Sequence, residues 1–222
     1  DAMQSLAGRR VESVTRRSKY LIFEFADQNR LILHLGMSGR IRLAPPGSER
    51  EKHTHLVFLF PDIEMHFRDP RRFGMAEVVQ PKEWQKYPRF QNLGLEPLSE
   101  AFQPDIFFEI CRRKQKPIKN LLMDQNIVVG IGNIYANEAL AVAGIDPRKP
   151  AADLNFKQVE KLVDAVKTVL HTAIAKGGTT LNDHQTAFGE PGFFQLQLFV
   201  YGKDETPCKT CGSLIIKTTL AG

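Results

Sequence analysis

The hydrophobic period of this chain changes once, after Pro81, and that change excludes a uniform architecture. Before it the sequence alternates. Residues 19–25 are rich in aromatic and branched side chains. Leu31, Leu33 and Leu35 share one strand face, because side chains repeat every second residue. Residues 41–43, 55–60, 64–67 and 75–79 continue the pattern, with Pro61-Asp62 as a turn. Short strands separated by turns predict an antiparallel sandwich or barrel.

Beyond Pro81, residues 87–104 carry Pro88, Pro97 and Pro104 and read as a linker between domains. Helices are predicted over 102–113, 118–124 and Asn133–Ala143, with Asn133 as N-cap and Gly144 as stop. The clearest helix covers 156–176, where Phe156, Val159, Val163, Val166, Leu170 and Ala173 recur at three- and four-residue steps. Asn155 caps its start with Gln158 at the third helical position, and Gly177-Gly178 ends it. Residues 196–201 read as a strand. The fold class is therefore α+β and multidomain.

Composition narrows the function. The chain has 222 residues, with 30 Lys plus Arg against 25 Asp plus Glu. The sequence pI of about 9.1 favours polyanionic partners. Apolar runs such as 56–61 are too short to span a bilayer, so no membrane partner is expected. The opening Asp1-Ala2-Met3-Gln4 lacks the basic and apolar regions of a secretory signal. Three cysteines make no disulfide framework, and a reducing cytoplasm is expected.

Four constellations carry chemistry. Arg9, Arg10, Arg16, Arg17 and Lys19 form one basic cluster, and Arg112, Arg113, Lys114, Lys116 and Lys119 a second. Such clusters suit phosphate backbones, and equally a solvated face. Gly130-Ile131-Gly132-Asn133 opens a helix whose first amides can bind an anion, although a packed helical hairpin reads the same way. Asp69-Pro70-Arg71-Arg72-Phe73-Gly74 places two guanidinium groups beside a ring that can wedge between base pairs. An ordinary turn with an Asp–Arg pair remains open there. His34-Leu35-Gly36-Met37-Ser38-Gly39 is a second such turn. Cys208-Lys209-Thr210-Cys211-Gly212 is the first knuckle of a zinc ribbon, and residues 212–222 hold no further Cys or His.

In this order the pieces resemble the bacterial formamidopyrimidine-DNA glycosylase family. Asn92-Leu93-Gly94-Leu95-Glu96-Pro97, Gly177-Gly178-Thr179-Thr180 and Val200-Tyr201-Gly202 add to the likeness. The resemblance implies a β-sandwich domain over 1–97, a helix–two-turn–helix domain over 98–198 and the first half of a zinc finger over 199–222. It implies a base-excision-repair enzyme that removes oxidised purines from double-stranded DNA. An N-terminal proline amine forms a Schiff base, and β,δ-elimination nicks the strand. Such an enzyme acts as a monomer in the cytoplasm, at the nucleoid. Structural Zn2+ would take Cys208 and Cys211 as two of its ligands. Because the chain opens at Asp1, without the family's Pro-Glu start, the expectation is an internal fragment inactive alone.

Residue by residue, Lys19 matches the lysine that assists elimination. His34, His53, Arg71, Lys114, Lys119 and Asn133 match DNA-binding positions. Met37, Arg71 and Phe73 match the trio that fills the void of an extruded base. Gly178, Thr179, Thr180, Gly189 and Gly192 fall in the loop that closes over that base. Competing readings are an endonuclease VIII-like enzyme for oxidised pyrimidines, a non-catalytic DNA-binding paralogue and an RNA-associated zinc-ribbon protein.

Overall fold

The computed structural model describes residues 2–178 and 193–220. The chain divides into two compact units, Asp1–Gln91 with Lys176–Gln195, and Asn92–Ala175 with Leu196–Gly222. The first holds β1 (Val11–Arg17), β2 (Tyr20–Phe25), β3 (Arg30–His34), β4 (Arg40–Ala44), β5 (Thr54–Leu59), β6 (Glu64–Arg68), β7 (Met75–Val79) and the short α1 (Pro81–Trp84). They form two antiparallel sheets, β1-β2-β3-β7 and β4-β6-β5. Period-two alternation sends Phe23, Phe25, Leu31, Leu33 and Met65 to one shared core, where Ile41, Leu43 and Phe58 pack against them.

Strand register decides where the loops emerge. Tyr20 pairs with His34, and His34 pairs with Met75. The β1–β2 turn, the loop after β3 and the turn before β7 therefore leave from one end of the four-stranded sheet. In the other sheet Arg68 pairs with both Arg40 and Thr54, so β4, β5 and β6 share an end as well. The chain passes from His34 to Arg40 and from Arg68 to Met75 between the two sheet ends. Those ends meet as one rim.

The second unit is helical, with α2 (Pro104–Cys111), α3 (Ile118–Met123), α4 (Asn133–Ala143) and α5 (Phe156–Ala175). Helix α5 buries Val159, Leu162, Val163 and Val166 against a core that includes Phe107, Leu121 and Leu140. Each such side chain contributes roughly 1.5–3 kcal/mol relative to exposure. The capping box at its start is formed. The Gln158 amide donates to Asn155 Oδ1 at 2.9 Å, and the Asn155 amide to Gln158 Oε1 at 3.2 Å. Gly144 ends α4 in the left-handed region at φ 67°.

Two expectations are corrected. The N-cap of α4 is Gly132, not Asn133: Gly132 is extended and its carbonyl accepts the Ala136 amide at 3.0 Å. Asn133 is the first helical residue. Residues 196–201 form no strand; a 3-10 turn covers Phe194–Gln197. The amides of Phe199, Val200 and Tyr201 go instead to the Glu138 carboxylate. No helix among the described residues is long and apolar enough to cross a membrane.

Candidate nucleic-acid interface

The rim of the first unit carries most of the residues singled out above. Gly36, at φ 63°, lies so close to the other turn that a Cβ there would come within 2.6 Å of the Phe73 backbone. The loop after β3 and the turn before β7 thus press against each other. Asp69 ties them together. Its carboxylate, 1% exposed, accepts Ser38 Oγ at 2.7 Å, the Gly74 amide at 2.6 Å and the Arg71 amide at 3.3 Å. Burial works against the charged form. The hydrogen bonds from Ser38, Gly74, Arg71 and Arg72 outweigh it and lower the carboxyl below its usual range. The acid of the Asp-Pro-Arg sequence therefore serves as a knot between two turns rather than as an arginine partner.

The knot pushes apolar side chains outward. Met37 is 64% exposed and Phe73 is 55% exposed. The Arg71 guanidinium lies over the Phe73 ring at 4.7 Å. A thioether, a ring and a cation thus stand in water on two adjoining turns of one rim.

Polar donors flank them. His34 Nδ1 accepts the Gly36 amide at 3.0 Å. That bond requires an unprotonated Nδ1 and leaves Nε2–H as the donor. Burial, then the charges of Lys19 and Arg89, lower the His34 imidazole pKa. His34 is a neutral N–H donor beside cations. Lys19 occupies the β1–β2 turn with Ser18, whose φ is 55°. The Lys19 side chain is exposed, yet the surrounding protein lowers its amine below the usual lysine range. His53, at φ 71°, joins the same rim, because its carbonyl accepts the Asp69 amide at 3.0 Å.

In the second unit, Lys119 and Asn133 line one recess of about 410 Å³ with Asn137, Tyr201 and Lys217. Burial lowers the Lys119 amine. Lys114 is not there; it lines a groove along α2 with Glu109 and Arg113. Glu138, 2% exposed, holds the chain at 199–201 to α4 through three amides at 2.5, 3.0 and 2.9 Å. No periodicity marked it, since a buried acid in an amphipathic helix looks like a surface residue.

Cys208 and Cys211 sit in a tight knuckle, with the Gly212 amide on the Cys208 carbonyl at 2.8 Å. Amides of Cys211 and Thr210 lower the Cys208 thiol. Two thiols supply half of a tetrahedral zinc set, and among the described residues no cluster of three or more metal-ligating side chains occurs. Of the loop residues, Gly178 is described, at φ 89°. Thr179, Thr180, Gly189 and Gly192 lie outside the described residues.

Comparison with known proteins accounts for this arrangement. Residues 1–76 match the formamidopyrimidine-DNA glycosylase N-terminal domain, and residues 93–185 match the formamidopyrimidine-DNA glycosylase H2TH domain. The chain belongs to the formamidopyrimidine-DNA glycosylase family. It is 43% identical to the formamidopyrimidine-DNA glycosylase of Acidithiobacillus ferrooxidans, over 100% of this chain and 82% of that protein. It is 45% identical to that of Rickettsia bellii, over 100% of this chain and 81% of that protein. Among solved structures, a complex of Lactococcus lactis Fpg with abasic-site DNA superposes with a TM-score of 0.91 at 38% identity, covering 99% of this chain and 80% of that one. A complex of the same enzyme with DNA containing Fapy-dG gives a TM-score of 0.90 at the same identity and coverage.

Proposed function

We propose that this glycosylase-family protein excises oxidised purines from double-stranded DNA in base-excision repair and then nicks the abasic strand. The observation that carries this reading is the exposed Met37–Arg71–Phe73 group on the knotted rim. Extruding a base costs a few kcal/mol of lost stacking and pairing. Burying the free faces of Met37 and Phe73 in the stack returns up to roughly 1.5–3 kcal/mol each. Arg71 has hydrogen-bond donors for the base left without a partner. Relatives in complex with abasic-site and Fapy-dG DNA support the same substrate class.

On the sandwich unit His34 and His53, and on the helical unit Lys114, Lys119 and Asn133, take phosphates. Neutral donors suffice where cations stand beside them. In the family the nucleophile is the amine of an N-terminal proline. Its ordinary pKa of about 8 leaves far more neutral amine at pH 7 than a lysine has. It attacks the sugar C1′ as the C1′–N bond to the base breaks, and loss of the ring oxygen's bond to C1′ gives a Schiff base. Lys19, with its lowered amine, assists the eliminations that follow. Structural zinc would take Cys208 and Cys211 as two of four ligands.

The test is competition between duplexes carrying 8-oxoguanine and thymine glycol, with the natural protein and borohydride present to trap the Schiff base. Preferential trapping on 8-oxoguanine is expected. Preference for thymine glycol, or no trapped adduct, overturns the reading.

A further inference from the structure

The face of the β4-β6-β5 sheet turned away from the core carries charge that the wedge and its flanking donors do not use. Cross-strand pairing puts Arg40 and Arg42 beside Arg68 and His66 on that face, while Ile41, Leu43 and Met65 point inward. Because β4 and β5 both run antiparallel to β6, the connection between them must return along the whole sheet. Residues 45–53 make that return as a strap, and fixed bonds hold it down. The Gly47 amide donates to Glu64 Oε1 at 2.8 Å, and Arg68 Nε donates to the Lys52 carbonyl at 2.9 Å. Glu51 is shared by three guanidinium groups, those of Arg40, Arg42 and Arg68.

Charge is left over. Arg40, Arg42, Arg50, Lys52 and Arg68 stand against Glu49, Glu51 and Glu64, five cations to three acids. Two of the acids are engaged: Glu51 as above, and Glu64 by His66 Nε2 at 2.7 Å and the Gly47 amide. His53 senses the surplus. Desolvation, then the positive charges of Lys52, Arg68 and Arg72, lower its imidazole. Arg50 and Lys52 are exposed, and Arg42 is 38% exposed. The strands of this face run five residues, or about 13 Å, away from the rim that bears His53 and the Arg71 turn. Over that distance one strand passes about four phosphates, at an axial spacing of about 3.4 Å, so the face has room for at least two contacts.

We propose that this strapped face is a second phosphate-binding surface, which takes the sugar-phosphate backbone of the duplex arm flanking the lesion. It rests on the DNA reading above and carries the contact on from His53 at the rim through Lys52 and Arg50 to Arg42. Glu51 and Glu64 preorganise the strap, so that Arg42, Arg50 and Lys52 meet the backbone without first having to order the loop. The surface reads no sequence; it adds affinity and orients the duplex.

The test compares the natural protein with an Arg42→Gln/Arg50→Gln/Lys52→Gln variant on lesion duplexes trimmed stepwise from either end, at several salt concentrations. On the longest duplex the variant should bind more weakly. Two lost phosphate contacts flatten the salt slope by about 1.8, so the affinity gap should narrow about 12-fold between 50 and 200 mM salt. Trimming one arm should weaken the natural protein alone, and the two proteins should converge on the shortest duplex. The excision rate at saturating DNA should not change. Equal loss at every length, or no loss on the longest duplex, overturns the proposal. Should the triple variant melt early, Arg50→Gln/Lys52→Gln on the exposed strap carries the same comparison. A natural protein that prefers lesion DNA but shows no dependence on either arm sinks this inference alone; one with no lesion preference sinks the underlying reading.

Discussion

Replacing Asp69 by alanine removes the knot between the two adjoining turns of the rim, and the structure sets the size of the effect. The carboxylate is 1% exposed and makes two short hydrogen bonds, 2.7 Å from Ser38 and 2.6 Å from Gly74. Hydrogen bonds to a charged group contribute about 1.5–3 kcal/mol each, and the buried donors they satisfied are then left without an acceptor. Asp69→Ala should therefore cost the sandwich unit about 3–6 kcal/mol. With a urea dependence of about 2 kcal/mol per M, its unfolding midpoint should fall by roughly 1.5–3 M. Asp69→Asn keeps the shape and one acceptor oxygen, and should lose about half as much. The pH dependence has a definite sign. The folded carboxyl is held below its unfolded value of about 3.9, so the contribution is present above that pH and disappears as pH falls through the lower folded value. A loss below about 1 kcal/mol for Asp69→Ala, with lesion preference intact, would refute the knot as the element that shapes the rim.

Three further outcomes follow from the same geometry. Arg71→Ala should weaken binding to lesion DNA more than binding to undamaged DNA, measured as the ratio of the two Kd values, because Arg71 is assigned to a base and not to a phosphate; equal weakening contradicts that role. The His34 imidazole accepts the Gly36 amide and has a lowered pKa. Its share of stability should be full above about pH 6.5 and fade as pH falls towards the folded value, and His34→Gln should remove that part of the acid sensitivity in urea titrations. Glu138→Gln turns one acceptor oxygen into a donor facing three amides, and should destabilise the helical unit by about 2–4 kcal/mol on calorimetry.

Local signals were strong where periodicity and turn chemistry agree. Met75–Val79 and Asn133–Ala143 have the bounds that alternation and the Gly144 stop imply, and the Asn155/Gln158 cap stands as the spacing requires. What local pattern cannot show is a partner far away in the chain. Asp69 reads as a turn acid until Ser38, 31 residues earlier, is brought against it. Glu138 reads as a solvated helix residue until the amides 61–63 positions later fold onto it, and those same amides cancel the strand expected over 196–201. The placing of Asn133 as a cap failed for a smaller reason: glycine takes the extended N-cap conformation without needing a side chain. The Arg71–Phe73 turn was legible as a possible wedge, with an ordinary turn equally open, whereas Met37 came to notice only through family resemblance. Their exposure on a common rim is what the fold adds.

The central claim is that Met37 and Phe73 occupy the space an extruded base vacates. It is tested most directly by placing 2-aminopurine beside an 8-oxoguanine and following its fluorescence as protein binds. The account predicts a rise with the natural protein as stacking is broken, and a loss of most of that rise with Met37→Ala/Phe73→Ala although DNA is still bound. An undiminished rise with the double variant would contradict it.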